Sequence, residues 1–315
     1  MSVITLRSAS PVEDVRAGLT FDRTVPRQLV HRASVTEVFL TDGAQVAADR
    51  FLVGAQWPRQ HAFHHPDESG HIDFMLLAET LRQAGIFLIH RFYDVPLNHH
   101  FVFKSLDLRV DDPAALRVRA TPLGAVLDVT VTATAPGSRR FDARLDITVE
   151  VDGRPCAYGS LAVVVVDARR YELLRNRGRD LDLDLDASPS TPAAPPSPAT
   201  TPVIAGRRHT DVLLRTTADP ADWLLHIDLH HPGYFEHPSD HVPGMMLLEA
   251  FRQAGHLTAG PGFRLASLRS RFMSFGELCR PVLIRAAAGP AGLLGLSAVQ
   301  GERTLAQGEA VFNHA

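Results

Sequence analysis

Cysteine is scarce in this 315-residue chain: the two present, Cys156 and Cys279, stand far apart and outside any CxxC spacing. That excludes a disulfide framework, a zinc ribbon and a thioredoxin-like redox site. The excess of positive charge that a nucleic-acid backbone attracts is missing too, since 32 Lys and Arg face 35 Asp and Glu for a formal charge of -3 with histidine neutral. No nucleic-acid partner is expected. Long apolar runs are also lacking; the longest, Leu161–Val166, falls far short of the ~20 residues of a membrane helix. The opening MSVITLRSAS has no signal-peptide apolar core, so the expectation is a cytoplasmic protein without membrane association.

What is present is core-forming material. Hydrophobic residues make up 45% and charged residues 21%, which rules out a disordered polymer, and the length suggests two domains. From Arg175 the chain runs through a Pro-, Ala-, Ser- and Thr-rich stretch with prolines at 189, 192, 195, 196, 198 and 202. Such a composition cannot bury enough apolar area to offset the entropy of ordering, and it favours extended polyproline conformations. The DLDLDLD just before it places like charges on every second residue, which fits a solvated lead-in better than a strand. The expected division is residues 27–168, a linker 169–206, and residues 207–315.

The two halves resemble each other. His71–Gly85 (HIDFMLLAETLRQAG) and His241–Gly255 (HVPGMMLLEAFRQAG) align without a gap, with eight of fifteen positions identical. Upstream, Phe63-His64-His65-Pro66 matches Phe235-Glu236-His237-Pro238, with two extra residues in the first copy before the next histidine. Thr36–Leu40 resembles Thr210–Leu214, and Ala157-Tyr158-Gly159 resembles Ala306-Gln307-Gly308. Each copy reads as a β-rich segment (34–40; 210–215), a short strand (51–56; 223–228), a His-rich loop, one long helix that is apolar nearly all round, and then more strands. In the first copy those strands are expected at 101–110, 116–121, 126–135, 141–151 and 157–166. In the second they are expected at 264–274, 282–287, 293–299 and 304–312. One buried helix wrapped by an antiparallel sheet is an α+β hot-dog arrangement. Two copies in tandem would pair their sheets edge to edge as a pseudo-dimer.

Positions i, i+3 and i+4 share a helix face, so Glu79, Arg82 and Gln83 project together, as do Glu249, Arg252 and Gln253. Charged groups on an apolar helix are costly unless paired or used. One such triplet reads as a structural pair; the same triplet in both copies, each downstream of Phe-x-His-Pro, points to a site. His65 and His237 are the candidate loop imidazoles facing the helix carboxylates. His71 and His241, at the helix start, are as well explained by capping or loop hydrogen bonds. The clusters His61, His64, His65, His71 and His226, His230, His231, His237, His241 invite a metal reading, but they lack HExxH or short HxH spacing and a neighbouring cysteine. No metal is expected, no redox cofactor is called for, and no Gly-rich nucleotide loop is evident.

The second copy, Phe235-Glu236-His237-Pro238 with Val242-Pro243-Gly244-Met245 following, resembles the loop and helix start of hot-dog 3-hydroxyacyl carrier-protein dehydratases. That likeness implies a backbone oxyanion donor at Gly244, whereas copy one has Asp73-Phe74 in place of Pro243-Gly244. A closer resemblance is to the double hot-dog A-factor biosynthesis family of γ-butyrolactone or butenolide synthases. It rests on His65-Pro66, Gly70-His71-Ile72-Asp73, Leu77–Gly85 and Glu249–Gly255, and spans all but the linker and the first ~25 residues. It implies transfer of a β-ketoacyl group from acyl carrier protein to the hydroxyl of dihydroxyacetone phosphate, followed by closure to a butenolide phosphate, the precursor of a γ-butyrolactone signalling molecule.

The residues suit that chemistry. Acyl transfer needs a base, for which an imidazole or a carboxylate raised in pKa by an apolar helix would serve. A phosphate needs a planar cationic fork, which Arg82 or Arg252 offers, with Gln83 and Gln253 as further polar contacts. Glu79, Glu249, His65 and His237 are thus the catalytic candidates; His65 is expected to approach Glu249, and His237 Glu79, across the pseudo-twofold. A hot-dog dehydratase or thioesterase, or a non-catalytic acyl-binding regulator, stays open beside this reading. The chain is expected to act as a monomeric pseudo-dimer or as a homodimer.

Overall fold

Asp73 opens helix α2 (Phe74–Phe92) by accepting the N–H of Met75 on its side chain at 2.6 Å, and the helix that follows is apolar nearly all round. Such a helix has to be wrapped. The computed structural model describes residues 11–134, 140–179, 201–204, 207–219 and 222–314, and it supplies that wrapping from one curled antiparallel sheet. After a short helix α1 (Pro11–Gly18), copy one contributes β1 (Leu40–Ala47), β2 (Arg50–Trp57), β3 (His100–Val110), β4 (Leu123–Thr134), β5 (Arg140–Val151) and β6 (Arg154–Val166). Helix α3 (Ala168–Arg179) follows. Copy two contributes β7 (Leu214–Thr216), β8 (Asp222–Leu225), helix α4 (Gly244–Ala259), β9 (Phe263–Phe272), β10 (Leu283–Ala288), β11 (Leu293–Gln300) and β12 (Arg303–His314). Among the described residues no helix is long and apolar enough to cross a membrane.

The sheet has twelve strands in the order β1-β2-β4-β5-β6-β3-β9-β12-β11-β10-β8-β7. Read from the centre outward the order is the same on both sides, which is a pseudo-twofold between β3 and β9. These two central strands pair antiparallel through Ser105↔Arg271 to Arg109↔Ser267. Asp107 and Ser270 secure the seam: the Ser270 N–H donates to the Asp107 carboxylate at 3.1 Å, and its hydroxyl donates to the Leu106 carbonyl. Each half-sheet packs on its own helix. The repeated Ala-x-Gly marks where strand crosses helix, since a Cβ on Gly159 would overlap Leu81 and one on Gly308 would stand 3.1 Å from Phe251.

Some local expectations change. Residues 34–40 and 210–215 are not strands throughout: Ser34 accepts the Thr36 N–H, closing a 3-10 turn over Val35–Glu37, and His209–Asp211 forms the same turn in copy two. At 116–121 a 3-10 turn (Pro113–Leu116), capped by Asp112 and begun by Pro113, replaces the expected strand, and Arg117 makes only an isolated bridge to His71. The stretch expected to be linker from residue 169 begins as α3. Burial explains why: Arg175 is 3% exposed and its guanidinium bonds Asp240 and Glu277 of copy two. The DLDLDLD segment and most of the Pro-rich stretch lie outside the described residues.

Overpacking these crossings should be felt unequally. Gly159→Ala brings its new methyl within 2.9 Å of the Asp107 carbonyl oxygen as well as into Leu81, whereas at Gly308 the nearest backbone atom is 3.3 Å away. Gly159→Ala is expected to cost about 1–3 kcal/mol and Gly308→Ala less, read as melting temperatures; equal effects would contradict this packing account.

Candidate active site

Two buried carboxylates organise the middle of the molecule. Glu79 is 1% exposed and accepts from Arg82 Nε and Nη2 at 2.8 Å each, from Gln83 Nε2 at 2.8 Å and from Arg32 Nη2 at 2.6 Å. Glu249, also 1% exposed, accepts from Arg252 Nε at 2.7 Å, from Arg252 Nη2, from Gln253 Nε2 at 2.7 Å and from Arg207 Nε at 3.3 Å. The glutamines complete each node by tying the helix to the segment that leads into the first strand of its copy. Gln83 accepts the Phe39 N–H and donates to the Glu37 carbonyl, and Gln253 does the same with Leu213 and Asp211.

Arg32 and Arg207 extend the nodes across the pseudo-twofold. Arg32 reaches Glu236 of copy two at 3.5 Å, and Arg207 binds Asp73 of copy one at 2.6 Å and donates to the Phe63 carbonyl at 3.2 Å. Burial alone would raise both glutamates, but the paired arginines hold them below the usual carboxylate range. The expectation of a raised-pKa base at Glu79 or Glu249 is therefore reversed: each is an ion-paired carboxylate, poorly suited to taking a proton.

The His-rich loops are related in a different register from the one Phe-x-His-Pro suggests. His61 Nδ1 accepts the N–H groups of Phe63 and His64, while His231 Nδ1 accepts those of Gly233 and Tyr234. The ring pairs agree, His61 with His64 at 5.3 Å and His231 with Tyr234 at 4.6 Å. His61 thus corresponds to His231 and His64 to Tyr234, with the same spacing to the helix in both copies. The residue in the place of His65 is then Phe235, and His237 lies two positions beyond it.

A cavity of about 540 Å³ lies between the loop and helix start of copy one and the C-terminal half of α4, where Gly260 ends the helix with φ 92° and Pro261 follows. His65, His71, Arg207, Arg252, His256 and Arg264 give it a basic flank, while Phe74, Leu77, Leu116, Leu257, Phe263 and Leu265 give it an apolar one. Its acidic members are mostly engaged: Asp73 with Arg207, Asp67 with His71, Asp111 with Arg109. His65 Nε2 faces the Asp211 carboxylate at 3.4 Å, an imidazole of one copy against an acid of the other. His256 is packed edge-on against Phe312 and its Nε2 lies 3.4 Å from Arg252 Nη1; burial and that guanidinium lower its pKa to about 4.

The pseudo-symmetric cleft beside α2 is filled. His31, in the left-handed region at φ 53°, sits with its Nε2 2.8 Å from His90 Nε2 and its ring against Phe101, and burial together with nearby cations lowers its pKa to about 3. Tyr171 of α3 stacks on His100 at 4.1 Å and donates to Asp240.

The profile of the A-factor biosynthesis hotdog domain matches residues 15–167 and 191–312. The chain belongs to this family. Among curated relatives it is 37% identical over 271 residues, 85% of this chain and 88% of the relative, to a 2-oxo-3-(phosphooxy)propyl 3-oxoalkanoate synthase of Streptomyces virginiae. It is 33% identical over 307 residues, 95% and 92% of the two chains, to a synthase of the same name from Streptomyces coelicolor. Among solved structures, a 12:0-ACP thioesterase from Umbellularia californica superposes over 84% of this chain and 98% of its own with a TM-score of 0.51 at 9% identity, a likeness of fold alone.

Within this A-factor family fold, the residues singled out from the sequence fall into two groups. His65 and Arg252 line the open cavity, one from each copy. Glu79, Glu249, Gln83 and Gln253 form the nodes behind it, and Arg82 completes the node on the filled side. His65 meets Asp211 rather than Glu249 as its acidic partner, and His237 is exposed, with Nδ1 3.2 Å from the Pro238 carbonyl. Gly244 lies against Phe272, with space for a Cβ only at 3.1 Å, and does not line the cavity. Arg32, Arg207, Asp211, His256 and Arg264 had not been singled out. Arg32 and Arg207 were detectable in principle as arginines preceding Thr36 and Thr210, but a one-residue difference in spacing hides the match.

The nodes predict what removing a charge does. Glu79→Gln or Glu249→Gln leaves two arginines beside a neutral amide in a buried place, and breaking a buried pair this way costs about 3–5 kcal/mol. Because both carboxyls sit below 4.5 in the folded chain, their contribution is complete above that pH and is lost on acidification. Both variants should show lower melting temperatures at pH 7; a wild-type melting temperature with lost turnover would instead mark the carboxylate as a reacting group.

Proposed function

We propose that this chain is a 2-oxo-3-(phosphooxy)propyl 3-oxoalkanoate synthase, joining a β-ketoacyl group carried as the thioester of acyl carrier protein to a hydroxyl of dihydroxyacetone phosphate. The observation that carries this reading is the cavity between the copies, basic on one flank and apolar on the other, in a chain whose relatives bear that name. A triose phosphate and an acyl chain need those two surfaces side by side.

The residues divide the work as follows. Arg252, whose Nε and Nη2 are held by Glu249, presents a guanidinium fixed in plane, and together with Arg264 it takes the phosphate. His65, whose Nε2 faces the Asp211 carboxylate at 3.4 Å, takes the proton of the attacking hydroxyl on Nδ1. The hydroxyl oxygen bonds to the thioester carbonyl carbon, the C–S bond breaks, and the proton held by His65 goes to the departing thiolate. Phe74, Leu116 and Phe263 provide apolar surface for the acyl chain. Closure of the ester to a butenolide phosphate follows from its own chemistry: the activated carbon between two carbonyls adds to the ketone of the triose, and the resulting hydroxyl leaves with the remaining α-hydrogen as water.

Incubating the pure protein with a β-ketoacyl thioester and dihydroxyacetone phosphate should give the phosphorylated ester or butenolide by mass spectrometry; hydrolysis of that thioester, or dehydration of a β-hydroxyacyl thioester, without triose would overturn the reading. Arg252→Lys keeps the charge and loses the fork. With a charge-assisted hydrogen bond worth about 1.5–3 kcal/mol, it should raise the half-saturating triose phosphate concentration roughly ten- to a hundred-fold. Arg82→Lys should change it little, and an equal effect at both would point to two working sites.

A further inference from the structure

We propose that His256 contacts the substrate as an uncharged hydrogen-bond donor, its Nδ1–H supporting the thioester carbonyl oxygen as the triose hydroxyl attacks. This deepens the acyl-transfer reading and rests on it. A guanidinium has donors only, so the His256 nitrogen beside Arg252 Nη1 accepts, and a neutral ring that accepts at Nε2 carries its proton at Nδ1. Among the described residues that Nδ1 has no partner, and the side chain lines the cavity. Burial, Arg252 and Arg207 hold the ring neutral at pH 7 against the opposing pull of Glu249 and Asp73. The edge-on contact with Phe312 fixes its plane.

The duplicated scaffold argues against a purely structural role. Ile86 stands at the corresponding position of α2, so the buried node itself does not require a histidine there. His65 has likewise become Phe235 in the other copy. His65 and His256 are thus two cavity imidazoles that have apolar counterparts in the other copy, Phe235 and Ile86, whereas the third, His71, is matched by His241. As the hydroxyl oxygen adds to the carbonyl carbon, the carbonyl electron pair moves onto oxygen and accepts from Nδ1–H. When the carbonyl re-forms, the thiolate leaves and the hydrogen bond weakens. A donor placed where charge develops lowers the barrier without binding the ground state more tightly.

The test compares His256→Leu with His256→Gln, taking turnover of a β-ketoacyl thioester with dihydroxyacetone phosphate as one readout and side-chain ¹⁵N NMR of the wild-type chain as the other. His256→Leu, which puts an aliphatic side chain where copy one has Ile86, should melt near the wild type and lose about 10²- to 10³-fold in kcat with KM for the triose phosphate little changed. His256→Gln keeps an N–H and should recover a large part of that loss. The NMR signals should report a neutral ring protonated at Nδ1. Wild-type kcat in His256→Leu, a rise in KM alone, or an imidazolium or Nε2–H ring would each overturn the inference while ester formation by the wild type still stands. A wild type that forms no ester overturns the acyl-transfer reading and this inference with it.

Discussion

A carboxylate held between two arginines in the interior is the constraint on which the rest of this molecule depends. Glu79 and Glu249 are 1% exposed, and leaving either unpaired there would be prohibitive. Each is instead bound by the arginine one turn along its own helix and by a second arginine from the segment preceding the sheet. That second arginine also reaches the opposite copy, Arg207 in a 2.6 Å pair with Asp73 and Arg32 in a looser 3.5 Å ionic contact with Glu236. The ion pairs therefore set the position of one half against the other. A hydrophobic contact between the same elements would be non-directional; a fork of guanidinium bonds fixes distance and plane.

Within this frame the two sides differ in structure. The strand order, the nodes and the glutamine ties are alike on both sides, yet one cleft is open and the other is filled by His31, His90 and Tyr171. Duplication gives two equivalent scaffolds, and substitution at a few cavity positions is enough to specialise one. On the open side Arg252 serves both functions at once: Nε and Nη2 belong to the node, and the guanidinium borders the cavity. Rigid placement of that group is inherited from the buried carboxylate behind it.

Much of this was legible in the sequence. Eight identities across His71–Gly85 and His241–Gly255 expose the duplication, and an all-round apolar helix between strand-like segments gives the hot-dog arrangement. The triplet Glu-Arg-Gln was found, but not its task, because spacing along one helix shows what shares a face and not what approaches it from elsewhere in the chain. Arg207 and Asp211 reach the site only through the fold. The Phe-x-His-Pro match misled for a physical reason: His61 and His231 fix the loop register by accepting two backbone N–H groups each, and that register overrides similarity of the residues that follow. Ser34 and Pro113 turned expected strands into 3-10 turns by local capping, which outweighs β propensity over so short a run.

The central claim is that the chain has one working site, built from the loop of copy one and the helix of copy two. A crystal structure with dihydroxyacetone phosphate bound tests it most directly. The account predicts a single triose phosphate per chain, its phosphate within hydrogen-bond distance of Arg252 and its free hydroxyl beside His65; a phosphate seated against Arg82 and His237, or one in each cleft, would contradict it.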